Sequence, residues 1–290
     1  MAFSATPEGA NTSGCPDSCG GIAIQYPFGI GTGCFRNGFE IICDRSMDRP
    51  VLAGTTKPVP VNHLSIRTAE ARVMLPVAWQ CFNSSDSVYA WSDGDVQFNL
   101  EEVYRISNTN NQLVVIGCNT LGYRQSQRSE GNDYDYGYYT GCMSYCNNSH
   151  SALAGACAGV GCCWLDIPPG LTDNRMDFDV YTHRARLGFS PCDYAFLVDR
   201  DNYTFHTADL KMDNTTMMLA CMAGLGHPGQ PYIECRDSSN GLGYVCNCSM
   251  GYEGNPYVAN GCTVLQMEER RLPEYTGLLR MQMSQWFPQC

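Results

Sequence analysis

Hydrophobic and polar residues alternate over short runs in the first third of the chain, and turn-forming residues cut the runs apart. The stretches "GIAIQYPF", "GFEIICD", "VPVNHLSIRT", "ARVMLPVAW", "DVQFNL" and "NQLVVIGC" alternate or are rich in Val and Ile, with Gly, Asn, Asp or Pro close by. Such runs predict β-strands. Pro27 has no backbone N–H to donate, so the first run predicts an edge strand or a strand end. Apolar positions at helical spacing are scarce. The pattern therefore predicts a β-rich fold of short antiparallel strands with little helix.

Residues 119–140 interrupt this pattern. "RQSQRSEGNDYDYGYYTG" is polar, contains Gly and is rich in Tyr, which predicts a linker loop; tyrosine rings stacking on sugar faces are the alternative reading. A cysteine-dense stretch follows, "GCMSYCNNSHSALAGACAGVGCCWLDIPPGL". The run "YTHRARLGFSPCDYAFLVD" then predicts one or two further strands ending near Cys192. From Cys221 to Cys262 the chain is turn-rich and poor in aliphatic side chains, so it must be stapled rather than cored. Past Cys262, Leu, Met and Trp in "TVLQMEERRLPEYTGLLRMQMSQWFPQC" predict a weak amphipathic helix or an unpacked tail. Residues 1–14 are small and polar and predict a disordered start.

Cysteine changes the picture. The chain has 18 cysteines in 290 residues and 5 histidines. Thiols at that density point to an oxidising compartment, with nearly all of them in disulfides. Zinc is the rival chemistry. The close pairs Cys15/Cys19, Cys142/Cys146, Cys162/Cys163 and Cys246/Cys248 lack the C-x-x-C knuckle that zinc ribbons repeat, so no metal or other cofactor is expected. Neighbours Cys162 and Cys163 are expected to take different partners, because a direct bond would strain the intervening peptide. Twelve cysteines lie between Cys15 and Cys192, an even number that can close as six bridges.

Six N-x-[ST] sequons, at Asn11, Asn83, Asn147, Asn202, Asn214 and Asn247, agree with a glycosylated extracellular surface. Asn247 lies between two cysteines, a sterically poor acceptor, which leaves the other five. No window approaches the roughly 18 consecutive apolar residues of a membrane span. The start, "MAFSATPEGANTSG", lacks the apolar run of about 7–15 residues found in a secretory signal. The chain thus reads as a mature ectodomain whose signal is lost or replaced, or as a fragment of a longer membrane protein.

A net charge of −11 argues against nucleic acid and anionic membranes as partners. Its distribution says more. Between Cys15 and Gln80 six basic residues (Arg36, Arg45, Arg49, Lys57, Arg67 and Arg72) face five acidic ones, so this segment is slightly positive. Only Lys57 and Lys211 among the 18 basic residues are lysines. The planar guanidinium of Arg can bond both oxygens of a carboxylate, so these six are candidate ligand contacts, although any single one also fits an ordinary solvated charge.

The longer motifs resemble a known family. "CGGIAIQYPFGIGTGC" followed by "FEIICD" is similar to the opening of the galacturonan-binding domain of plant wall-associated receptor kinases, and "VVIGCN" resembles that domain's closing strand. "GCMSYC" and "AGVGCCWLDIPPGL" resemble the family's middle wall-associated module, and "GYVCNCSMGYEGNPYVANGC" resembles its EGF-like repeat. The resemblance covers residues 15–262 in order. It implies small modules in series, each too thin to rely on a core alone: a galacturonan-binding domain over 15–118, a linker over 119–140, a middle module over 141–220, an incomplete EGF-like module over 221–262 and a divergent tail over 263–290. Each disulfide would then contribute ~2–4 kcal/mol. In an EGF-like module the cysteines pair first to third, second to fourth and fifth to sixth. The resemblance therefore implies Cys221–Cys235 and Cys248–Cys262, with Cys246 lacking its usual partner unless the tail brings back Cys290. "TVLQMEERR" stands where an Asp-rich calcium-binding repeat usually follows, so no calcium site is expected.

The resemblance implies an extracellular receptor region that binds pectin or oligogalacturonides in the cell wall, with a role in defence signalling. Exposed ion pairs are individually weak, about 0–1 kcal/mol, so such binding has to be multivalent and salt-sensitive. The overall charge opposes a polyanion unless a local basic patch forms, calcium bridges the carboxylates, or the ligand differs. The alternative is a protein-interaction module that meets a pathogen or co-receptor protein, or a soluble decoy. An enzyme is not expected. Asp177/Asp179 and Asp93/Asp95 could be imagined as a glycosidase acid and base, but no motif joins a nucleophile to a base, and no kinase Gly-rich loop, H-R-D or D-F-G occurs.

Overall fold

The computed structural model describes residues 14–44, 49–67, 70–98, 103–130, 133–179, 181–200, 202–212, 233–237, 244–248, 252–255 and 261–264. In chain order the strands are β1 (Ser18–Cys19), β2 (Ile22–Ala23), β3 (Ile41–Asp44), β4 (Arg49–Leu52), β5 (Val59–Ser65), β6 (Glu70–Val73), β7 (Ala78–Phe82), β8 (Val88–Ser92), β9 (Val96–Gln97), β10 (Asn111–Ile116), β11 (Thr120–Glu130), β12 (Asp133–Ser144), β13 (Cys162–Asp166), β14 (Asp173–Asn174), β15 (Asp177–Asp179) and β16 (Cys192–Asp199). A 3-10 turn, η1 (Thr207–Lys211), precedes two small hairpins built from β17 (Ile233–Asp237) with β18 (Tyr244–Cys248) and β19 (Tyr252–Gly254) with β20 (Cys262–Val264). The fold is β-rich, antiparallel and disulfide-rich, as the alternation and the cysteines predict.

Three sheets carry most of the architecture. A four-stranded sheet has the order β3-β4-β5-β6, and a five-stranded sheet has the order β13-β10-β16-β7-β8. A third, β12-β11-β15, packs on the five-stranded sheet through Gly122. A Cβ there would lie 2.8 Å from Val115 and 3.3 Å from Ala195, so only glycine lets the two sheets approach this closely.

The five-stranded sheet is covered on both faces. Leu113, Val115, Ala195 and Leu197 face a core shared with the four-stranded sheet through Ile41, Leu52, Val59, Val61 and Val73. Val114, Ile116, Tyr194, Phe196 and Val198 face a second core closed by Phe205 and Leu210 of the η1 segment. Double coverage explains why "LVVI" in β10 and "YAFLV" in β16 are continuous apolar runs rather than alternating ones.

This arrangement corrects several expectations. Residues 119–140 are no linker loop: β11 and β12 pair as a long hairpin. Packing of Gly122 on the five-stranded sheet decides the matter over local polarity, and Tyr and Thr suit strands. Nor do boundaries at 118 and 141 separate thin modules. β10 takes one partner from β13 and the other from β16, both later in the chain, and one core runs from Cys19 to Leu197. The last run does not end near Cys192; β16 begins there, because the preceding residues turn through the Arg186–His183 and Ser190–Arg186 backbone bonds.

All twelve cysteines from Cys15 to Cys192 pair among themselves, as Cys15–Cys34, Cys19–Cys43, Cys81–Cys192, Cys118–Cys146, Cys142–Cys163 and Cys157–Cys162. Cys162 and Cys163 do take different partners. Further on, Cys248 is bridged to Cys262. Cys235 stands opposite Cys246 in the β17/β18 register, while Cys221, Cys290 and the tail after Val264 lie outside the described residues.

A buried polar cluster ties β7 and β16 to the turn at His183. His183 Nε2 lies 3.0 Å from Asp193 Oδ1, and its Nδ1 lies 2.8 Å from the Tyr181 carbonyl. The Tyr181 carbonyl only accepts, so Nδ1 carries a proton, and a protonated Nε2 donates to the Asp193 carboxylate when the ring is charged. Gln80 donates to the other Asp193 oxygen at 2.9 Å, and Phe82 stacks on the ring at 3.7 Å between centroids. Burial opposes the charge on His183. The hydrogen bond and charge of Asp193, the Tyr181 carbonyl and Asp86 outweigh it and hold the pKa above its usual 6.5.

Candidate functional site

Residues 14–40 form a disulfide-knotted lobe whose regular strands are the short pair β1 and β2. Cys15–Cys34 closes it on itself, Cys19–Cys43 ties it to β3, and the Tyr26–Pro27 peptide is cis. Phe28 is buried edge-on against Phe39 at 5.3 Å, and Phe39 in turn packs on Tyr104 at 5.8 Å. Gly29 passes so close to Cys34 that any Cβ would run into the Cys34 carbonyl.

Between this lobe and the outer end of β5 lies a cleft of about 680 Å³. That size suits a small ligand or part of a chain, since ligand pockets span about 300–1,000 Å³. Cys15 to Asp17, Ile24 to Tyr26, Phe28 and Gly29 form one wall, and His63 to Arg67 form the other. Gly254 and Asn255, beside the β19/β20 hairpin, close the rim, and Asn255 Nδ2 donates to the Tyr26 carbonyl at 2.7 Å.

The cleft carries Arg67, His63 and Asp17, all exposed, with Gln25, Ser65 and Asn255 as neutral polar groups. Arg67 offers a bidentate grip on a carboxylate, and the His63 ring nitrogens add further hydrogen bonding. The neutral groups can bond hydroxyls, and the Tyr26 and Phe28 walls supply apolar contact. Together these groups can bond carboxylates and hydroxyls.

The six sequence-predicted cations are not gathered at one point. Arg67 lines the cleft. Arg36 is half-buried in the turn after Cys34, where its backbone N–H bonds the Pro27 carbonyl. Arg49 opens β4 and reaches the Met74 sulfur at 3.5 Å. Lys57 is exposed on the β4–β5 turn. Arg72 points outward between buried Ala71 and Val73, opposite His63 in register, and lies 3.8 Å from Asp199. Arg45 lies outside the described residues.

His63, Gln25 and Asn255 escaped the charge argument. Asn255 is distant in sequence, and His63 looks like any exposed position of an alternating strand. The one available signal was the apolar run into Tyr26-Pro27-Phe28. Of the expected glycan acceptors, Asn147 and Asn202 are exposed, and Asn83 is half-buried in a turn that its own side chain braces. Asn11 and Asn214 are outside the described residues.

Comparison with known proteins finds relatives over most of the chain. The family described as "wall-associated receptor kinase galacturonan-binding" matches residues 15–74, the segment that builds both long walls of the cleft. The chain is 29% identical to wall-associated receptor kinase 2 of Arabidopsis thaliana over 280 residues, covering 90% of this chain and 36% of that protein. It is 30% identical to wall-associated receptor kinase 1 of the same plant over 274 residues, covering 86% of this chain and 34% of that one. Wall-associated receptor kinase-like 10 is 24% identical over 305 residues. The chain thus spans about a third of the length of the curated relatives it matches. No solved structure matches it. The chain is thus similar to wall-associated receptor kinases over most of its own length, and residues 15–74 match their galacturonan-binding family.

Proposed function

We propose that this chain is a non-catalytic, wall-facing receptor region that binds pectin, as polymer or as oligogalacturonide fragments, in the cleft between the knotted lobe and β5. A role in defence signalling follows from that reading. The observation that carries it is the coincidence of the family match with a cleft holding Arg67 and His63. A galacturonate carboxylate meets Arg67, and its hydroxyls meet Gln25, Ser65 and Asn255. Arg36, Arg49, Lys57 and Arg72 lie on or beside the same lobe and sheet, and together with Arg45, which follows β3 in sequence, they attract the rest of a longer chain. The local excess of positive charge offsets the overall −11 there.

A glycan array read at low and high salt tests this. Oligogalacturonides should bind, and lose affinity as salt rises. Salt-independent binding or none counts against the reading.

A protein partner is the second reading, favoured by Tyr89 and Trp91 on edge strand β8. They stay 61% and 68% exposed, and large aromatics of this kind anchor protein interfaces. A co-receptor or pathogen protein that binds only when both are intact would support it.

A further inference from the structure

The outer face of the β12-β11-β15 sheet carries a feature that the cleft does not use. Gly122, Cys142 and Phe178 turn inward, Gly122 onto the five-stranded sheet and Cys142 to its bridge with Cys163. Alternation then sends Tyr123, Tyr139 and Met143 outward, together with Asp177 and Asp179. Gly141 stands opposite Tyr123, and a Cβ there would collide with the Tyr123 Cβ and the neighbouring backbone, so β11 and β12 approach closely at this rung. The Tyr123 ring comes within 6.2 Å of Tyr139, which is 60% exposed. Asp177 is the register partner of Tyr123 in β15.

We infer that this face is a second carbohydrate site, one that takes an uncharged oligosaccharide. The two tyrosines offer apolar rings to the C–H face of a sugar, and the carboxylates of Asp177 and Asp179 accept hydrogen bonds from its hydroxyls. Asp177 and Asp179 stand two residues apart on one side of a strand, about 7 Å, the scale of a pyranose ring and its hydroxyls.

Charge selects the ligand. Asp177, Asp179 and neighbouring Asp93 outnumber Arg175, whose Nε lies 3.9 Å from Asp177. Galacturonate is repelled here, whereas the cleft attracts it. Burial raises the Asp177 pKa, with Arg175 opposing and Asp93 adding, which marks a carboxylate already partly withdrawn from water. The apolar strip is narrow and bordered by carboxylates, unlike the wider apolar centre of a protein interface. This site stands apart from the cleft, and the failure of either leaves the other untouched.

Calorimetric titration of the intact chain with cellotetraose, galactotetraose and a xyloglucan heptasaccharide tests the inference, with tetragalacturonate and oligo-lysine as counter-probes. At least one neutral probe should bind with little dependence on salt. Tyr139→Ala and Asp177→Asn should each weaken it by about tenfold or more. Tyr139→Phe, which keeps the ring, should retain most of the affinity and guards against misfolding as an explanation. Tetragalacturonate binding should not change in these variants. The inference is overturned if no neutral probe binds, if binding survives both substitutions, or if only oligo-lysine binds and does so in a salt-sensitive way, the mark of a protein-facing surface.

Discussion

The four-stranded and five-stranded sheets are built from similar residues but serve different ends. In β5 and β6, buried Val59, Val61, Ala71 and Val73 leave His63 and Arg72 exposed, so one face is free to meet a ligand. In β10 and β16 nearly every residue is buried, because a core lies on each side. That sheet can present side chains only at its edges, as Trp91 does on β8 and Trp164 on β13. The contrast teaches where to look: burial concentrates in the doubly covered sheet, and the exposed polar side chains of the proposed cleft lie on the half-covered one and on the lobe beside it.

Substitutions should break this contrast if it is wrong. The largest effect is expected for Phe196→Ala in β16, about 3–5 kcal/mol from lost burial and the cavity left behind. Arg72→Ala in the four-stranded sheet should cost far less, and urea unfolding of the two variants gives the comparison directly. Next comes removal of Cys81–Cys192, which joins β7 to β16 across 111 residues of sequence. Replacing both cysteines with Ala should cost about 2–5 kcal/mol. A loss as small as that of a surface change would mean that the two cores hold the sheet without its staple.

The His183–Asp193 pair sharpens the comparison through pH. Because the folded pKa of His183 lies above its unfolded value near 6.5, the pair contributes fully below that pH. Its contribution is lost as pH rises through the folded pKa. Stability measured by urea unfolding should therefore fall from mildly acidic toward alkaline pH, and Asp193→Asn should flatten that part of the profile. The smallest effect is expected at the Arg72–Asp199 pair, whose double-mutant coupling should stay within about 1 kcal/mol and shrink in salt.

Much of this was legible in the chain. Alternation in "VPVNHLSIRT" located β5, and even cysteine parity located a closed set of bridges within residues 15–192. What escaped depended on distant partners. Nothing local tells "RQSQRSEGNDYDYGYYTG" that Gly122 will pack on Val115 and Ala195, although Gly131-Asn132 is a dipeptide that suits a hairpin loop. The module boundary at 118 failed for the same reason, since β10 finds its partners in β13 and β16. In the cleft, charge counting reached Arg67 but not His63 or Asn255, which join it only once β5 lies against the lobe and Asn255 meets Tyr26.

The central claim is that the cleft, rather than the scattered cations, holds the acidic sugar. Titrating oligogalacturonide into the wild-type chain, Arg67→Glu and Arg72→Glu at one low salt concentration tests it most directly. Both reversals change net charge equally, so long-range attraction falls alike in the two. The account predicts a loss of about tenfold or more for Arg67→Glu and a much smaller one for Arg72→Glu. Equal losses in the two variants, or unchanged affinity in Arg67→Glu, would contradict it.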